Sequence, residues 1–174
     1  MDRIDALKAR IRDVPDFPKK GIVFKDITTL LKDGAAFSEA MDLFERLLGG
    51  LNVQKVVAVE SRGFILGSVL ADRLKVGFVP VRKPGKLPGR VRTISYSLEY
   101  GTDSLEIHED AIDRGERVLV VDDVLATGGT ARATGELVEA LGARIEAFSF
   151  LVELSFLEGR KRLEGHEIRS LIAY

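Results

Sequence analysis

The segment RVLVVDDVLATGGT (117–130) constrains the fold more than any other part of the chain. Its Leu and Val residues run without a polar break, the pattern of a strand buried on both faces. Two adjacent acids, Asp122 and Asp123, follow, and the spacing predicts that the strand ends at Val121 and delivers both carboxylates to its exit. ATGGT (126–130) supplies a turn, and Ala133, Leu137 and Leu141 recur behind it at helical spacing. An apolar strand, a glycine turn and an amphipathic helix make one βα unit. Such units in series build a parallel sheet through right-handed crossovers.

The rest of the chain repeats the theme. KVVAVESRGF (55–64) reads as a strand and a turn, Ile65 to Leu74 as a helix and GFVPV (77–81) as a strand. Ile145 to Val152 reads as the final strand. Ile4, Leu7 and Ile11 share a helical face, and Phe37, Met41, Phe44 and Leu48 share another that Gly49 and Gly50 end. Between these helices lies VPDFPKKGIVFKDIT (14–28), where Pro15, Pro18 and Gly21 forbid a regular helix. RKPGKLPGRVR (82–92) is likewise irregular, and 94–98 pairs with 104–107 as a hairpin whose turn holds Gly101 to Asp103. The fold class is α/β, a mostly parallel open sheet with helices on both faces. In such sheets ligands sit beyond the carboxyl ends of the strands, here just after Val59, Val81 and Val121.

Composition narrows the chemistry. The 174 residues suit a single domain (1–174), and 45% hydrophobic content with a net charge of -1 argues against disorder. The balanced charge gives no global pull toward nucleic acid or membrane. No cysteine is present, which removes thiolate nucleophiles, disulfides and iron–sulfur ligation, and fits a reducing compartment. The two histidines, His108 and His166, are far apart, so a His-rich metal site is not expected. No strictly apolar run exceeds four residues, and the charged N-terminus has no signal-peptide core, so a cytoplasmic protein is expected.

The turn after the acids is a phosphate cradle in outline. Ala126, Thr127, Gly128, Gly129 and Thr130 can aim backbone N–H groups inward. The glycines let an anion approach, and the helix that follows adds the positive end of its dipole. Asp122 and Asp123 would repel a phosphate placed against them. They accept hydrogen bonds only, which suits the vicinal hydroxyls of a ribose or the outer coordination shell of a magnesium ion held by the ligand. A sugar phosphate satisfies both halves, whereas helix capping explains only one Asp. The chain has no Walker A loop, no G-x-G and no G-x-S-x-G. A second signal is the cationic run Arg82, Lys83, Lys86, Arg90 and Arg92, which contains no acid. With Arg62 after another strand, it suits a diphosphate. The same run also reads as a solvated loop or a nucleic-acid patch, though it lacks the interleaved aromatics that stack single strands.

VVDDVLATGGT resembles the phosphoribosyl pyrophosphate motif of the type I phosphoribosyltransferases. PDFPKKGIVFKDIT, ESRGF, VRKPGKLPG, YSLEYG, LEIHEDAI and FLVEL, in this order across residues 14–160, bring the chain closest to the members that act on adenine. The resemblance implies a type I phosphoribosyltransferase fold with a small N-terminal hood (1–30) and a flexible lid over 82–98. It implies a homodimer in purine salvage that converts adenine and phosphoribosyl pyrophosphate to AMP and diphosphate. Magnesium would arrive on the diphosphate with no direct protein ligand. By the same resemblance Arg62, Arg82, Lys83 and Lys86 hold diphosphate, aided by an unusual peptide at Glu60-Ser61. Phe24 and Leu154 sandwich adenine, while Val23 and Lys25 read its edge. Glu99 and Tyr100 are the implied acid/base and lid residue. From the residues alone, Phe24 reads equally as core and Glu99 as a solvated hairpin residue. Lys25 stands where relatives often carry Arg, which leaves another base, such as xanthine, hypoxanthine or a pyrimidine, as the alternative substrate.

Overall fold

A computed structural model describes residues 2–97 and 102–174. The chain divides between Arg46 and Leu47 into two compact units.

The first unit holds three helices and a small hairpin. Helix α1 (Arg3–Lys8) buries Leu7, and Ile11, expected on the same helix, is buried just beyond its end. Strands β1 (Arg12–Pro15) and β2 (Val23–Asp26) pair antiparallel, so the segment read as irregular contains a strand at each end. Helix α2 (Thr28–Leu31) follows at once, and α3 (Gly34–Leu47) buries Ala36, Ala40, Met41 and Phe44 at the expected spacing.

Asp26 joins the hairpin to α2. Its carboxylate accepts from the Thr28 hydroxyl at 2.6 Å, from the Thr28 N–H at 2.9 Å and from Arg12 Nη2 at 2.5 Å. The Thr28 hydroxyl and the Arg12 guanidinium lower its pKa from 3.8 to about 2. A depressed folded-state pKa stabilises above the unfolded value, and that stability is lost as pH falls from 3.8 toward about 2. Asp26→Asn is therefore less stable than the parent in urea unfolding at about pH 5, and the gap narrows at about pH 2.

The second unit is built on a five-stranded sheet, β3 (Lys55–Val59), β4 (Gly77–Val81), β7 (Arg117–Leu125), β8 (Arg144–Glu153) and β9 (Ile168–Ala173), in the order β4-β3-β7-β8-β9. Every pairing in it is parallel. Strand β9 follows the strand expected to be last, and a single strand, β8, pairs with it at the sheet's edge. Helix α4 (Arg62–Leu74) lies on one face, where Gly67 meets Ala58 and Val56. A Cβ on Gly67 would lie 2.6 Å from the Ala58 Cβ, so only glycine permits that approach. Helix α5 (Gly129–Ala140) covers the other face, with Ala133 and Leu137 in a core that takes Val57, Val59, Val118, Val120 and Phe148 from the sheet. The alternation of Val56 and Ala58 with Val57 and Val59 is the period of two that a strand imposes.

The antiparallel hairpin β5 (Val91–Ser97) and β6 (Thr102–His108) adds Leu105 and Ile107 to the α5-side core. Both strands are longer than expected, and Asp103, assigned above to the turn, is a strand residue opposite Tyr96. Among the described residues no helix is long and apolar enough to cross a membrane.

Candidate functional site

The register of the sheet opens a crevice beside Asp122. Strand β3 pairs with β7 only as far as Ala58 opposite Val121, whereas β7 continues along β8 to Leu125 opposite Glu153. The acids therefore sit within β7, not at its exit as expected. They face the space that β3 vacates when it turns at Glu60, where the Glu60–Ser61 peptide is cis.

A cavity of about 290 Å³ fills this space. Arg62, Lys83, Asp122, Asp123 and Thr130 line it, together with Glu60, Ser61, Tyr96 and Asp103. Helix α4 begins at Arg62, and Gly63 is what lets it begin so close to β7. A Cβ there would lie 2.8 Å from Asp122 Oδ1 and 3.3 Å from the Val121 carbonyl oxygen.

The two acids differ. Asp123 is 5% exposed and its carboxylate pairs with the Arg62 guanidinium. Asp122 accepts the Asp123 N–H at 2.8 Å, and burial together with the neighbouring Asp123 charge pushes its pKa well above the ordinary carboxylate range. Asp122 therefore resists ionisation beside a second carboxylate. Asp123 is thus a buried acid inside β7 and not one at the strand's exit.

The cations expected to act together are divided. Lys83 lines the cavity and its ammonium pairs with Asp103. Arg82 is turned away, donating to Glu60 Oε2 at 2.9 Å and to the Lys86 carbonyl at 3.2 Å. Glu60 also accepts the Lys83 N–H at 2.5 Å. Burial raises the Glu60 pKa, and the Lys83 N–H and Arg82 outweigh it and leave the carboxylate below its usual range. Lys86 is exposed and lies outside the cavity lining. Glu60 and Asp103 were not singled out in the sequence. Both pair with the basic run, Glu60 with Arg82 and Asp103 with Lys83, and nothing in the spacing of that run marks its partners.

The turn 126–130 leads from β7 into α5, with Gly128 at φ +83° just before the first helical residue. The space left by the missing Gly128 side chain is not the anion's. A Cβ there would lie 2.5 Å from the Gly159 carbonyl oxygen, in the pair of 3₁₀ turns Ser155–Leu157 and Gly159–Leu163. Gly159 in turn packs on the Ala126 carbonyl. Leu154 precedes these turns, and its N–H donates to the Leu125 carbonyl at 2.9 Å, which brings it beside the end of β7.

Val23, Phe24 and Lys25 belong to β2 of the first unit. Val23 is 46% exposed, Phe24 meets Phe17 edge-on at 5.2 Å, and Lys25 pairs with Asp13 at 2.6 Å. Glu99 and Tyr100 lie outside the described residues.

Fold and cavity define a class: an α/β protein with cations, a carboxylate pair and a Gly-Thr turn at the carboxyl ends of parallel strands, the apparatus for a sugar bearing phosphate groups. Comparison with known proteins is specific. Residues 26–167 match the phosphoribosyl transferase domain. An adenine phosphoribosyltransferase of Thermotoga neapolitana is 61% identical over 97% of this chain and 99% of its own. The crystal structure of adenine phosphoribosyltransferase from Thermoanaerobacter pseudethanolicus superposes with a TM-score of 0.96 at 54% identity, covering 98% of this chain and 99% of that one. The Saccharomyces cerevisiae enzyme, solved with adenine and an imino-altritol bisphosphate, gives a TM-score of 0.92 at 41% identity over 98% of both chains. The chain belongs to the phosphoribosyltransferase family and groups there with the adenine phosphoribosyltransferases.

Proposed function

We propose that the protein transfers the 5-phosphoribosyl group of phosphoribosyl pyrophosphate to adenine, releasing AMP and diphosphate in purine salvage. The observation that carries this reading is the single cavity in which Arg62 and Lys83 meet Asp122, Asp123 and Thr130. The named relatives supply the base.

The difficult step is cleavage of the bond from C1 to diphosphate, during which the ribose gathers positive charge. The amides and hydroxyls of Ala126, Thr127, Gly128, Gly129 and Thr130 hold the 5-phosphate and fix the sugar. Arg62 and Lys83 take up charge on the departing diphosphate, and Arg82 and Lys86 complete that set once Arg82 leaves Glu60. Asp123, paired with Arg62, accepts from a ribose hydroxyl and favours the cationic sugar. Asp122, with its raised pKa, holds the second hydroxyl. Magnesium would enter on the diphosphate of the substrate, with no direct protein ligand. Carried in that way, it would offset diphosphate charge.

Residues 1–30 act as a hood for the base in this reading. Phe24 and Leu154 stack on it, Val23 and Lys25 read its edge, and Glu99 with Tyr100 manages its ring proton and closure. The enzyme is a cytoplasmic homodimer in the same reading, for which light scattering gives twice the 19.1 kDa chain mass.

The test is diphosphate release from phosphoribosyl pyrophosphate with magnesium, across adenine, hypoxanthine, xanthine and a pyrimidine. Release with adenine and none without a base is the expected result. Release with another base but not adenine rejects the assigned substrate, and release with none rejects the transferase.

A further inference from the structure

Tyr96 and Asp103 have no part in the mechanism above, yet both line its cavity. They face each other in direct register across the β5–β6 hairpin. Asp103 Oδ2 accepts from the Lys83 ammonium and from the Tyr96 hydroxyl, the latter at 3.2 Å. The Tyr96 hydroxyl also lies 3.2 Å from Thr130 Oγ1. A continuous line therefore runs from Lys83, on the diphosphate side, through Asp103 and Tyr96 to Thr130, in the turn that holds the 5-phosphate.

The polarity of this line is fixed by proton count. An ionised carboxylate only accepts, and a phenol has one proton to give. Burial raises the Asp103 pKa, but the Lys83 hydrogen bond and its companions outweigh it and hold the carboxyl low. Burial holds the Tyr96 phenol high, so it keeps its proton. Tyr96 therefore donates to Asp103, and Thr130 donates to Tyr96. In this arrangement the Thr130 proton points at Tyr96 and away from a phosphate.

We propose that Tyr96 is a positioning residue that sets the diphosphate and phosphate subsites against each other. When Thr130 gives its proton to a phosphate, its bond to Tyr96 survives only if Tyr96 turns its own proton from Asp103 to Thr130, and Asp103 then relies on Lys83. Diphosphate draws Lys83 away from Asp103, which then relies on Tyr96. Each ligand weakens the arrangement the other needs. The intact donor bears this cost on one molecule. Once the bond to diphosphate breaks, AMP and diphosphate bear it as separate ligands, and each promotes release of the other.

The inference rests on the transfer reading, and titration calorimetry separates the two. Diphosphate with magnesium is titrated into the protein with and without saturating ribose 5-phosphate, and the ratio of the two dissociation constants is the coupling. Charge repulsion between the ligands contributes to it in every variant. Tyr96→Phe keeps the ring and the charge, so only the relay is lost, and the coupling falls about three- to tenfold, the worth of one hydrogen bond. Thermal melting checks that the variant folds. Asp103→Asn, which removes the charged acceptor, lowers the coupling as well and decides the matter should Tyr96→Phe not fold. A parent protein that binds both probes with a coupling that the folded variants leave unchanged overturns the relay alone. A parent that binds neither probe overturns the transfer reading and the relay with it.

Discussion

Replacing Asp123 by asparagine lowers kcat/KM about 10- to 100-fold, the worth of one charge-assisted hydrogen bond, while the protein melts within about 2–4 °C of the parent. The small stability effect does not come from exposure, because Asp123 is only 5% exposed. It comes from its partner: the Arg62 side chain is 40% exposed, so water covers the guanidinium when the charge opposite is lost. Such half-exposed pairs contribute at most about 1 kcal/mol. Asparagine also keeps the volume and one acceptor oxygen. Activity suffers because the ribose loses a carboxylate acceptor and Arg62 its anchor. Asp122→Asn costs less, since burial and the Asp123 charge already favour the protonated form at Asp122. Initial rates per folded molecule check the order. Parent-like activity in Asp123→Asn removes the acid from the mechanism, and a larger loss at Asp122 reverses the assignment of charge.

The fold was legible where one physical signal dominated. The apolar run 118–121 and the glycine turn behind it announce a buried βα unit without help from tertiary structure. Strand β9 was not legible, because its residues IRSLIA mix Arg169 and Ser170 with apolar side chains and one paired edge leaves most of them only half buried. The extent of β7 was hidden for a related reason. Adjacent acids read as a strand's end, yet pairing with β8 carries the strand past them to Leu125. In the site, the sequence marked the charges and not their partners. The cationic run gives no sign that Glu60 holds Arg82 away from the cavity while Lys83 stays in it, because that choice depends on how β3 turns. Asp103 was hidden by register: a glycine and a threonine beside it suggested a turn, and the hairpin instead sets it opposite Tyr96.

Gly128→Val produces the largest effect, losing donor affinity and stability together. At φ +83° any L-residue is strained by about 1–2 kcal/mol, more for a β-branched one. The new Cβ would also lie 2.5 Å from the Gly159 carbonyl oxygen and 3.2 Å from its carbonyl carbon. Both are backbone atoms and cannot rotate aside. Gly159 cannot retreat without moving the whole 3₁₀ pair, which is tied to β8 by the Arg160–Glu153 ion pair at 2.7 Å. The turn 126–130 must therefore lift away, taking the cradle amides with it. Strain and overlap together cost about 3 kcal/mol or more, a fall of about 6–12 °C in Tm. Gly165→Val isolates the overlap: Gly165 has φ +90° but nothing within 4 Å of its Cβ position. The expected pattern is strain alone in Gly165→Val, with ribose 5-phosphate binding intact, against a deeper fall in Tm and lost binding in Gly128→Val. Equal melting temperatures with retained ribose 5-phosphate binding in both would show that the contact with Gly159 does not hold the cradle in shape.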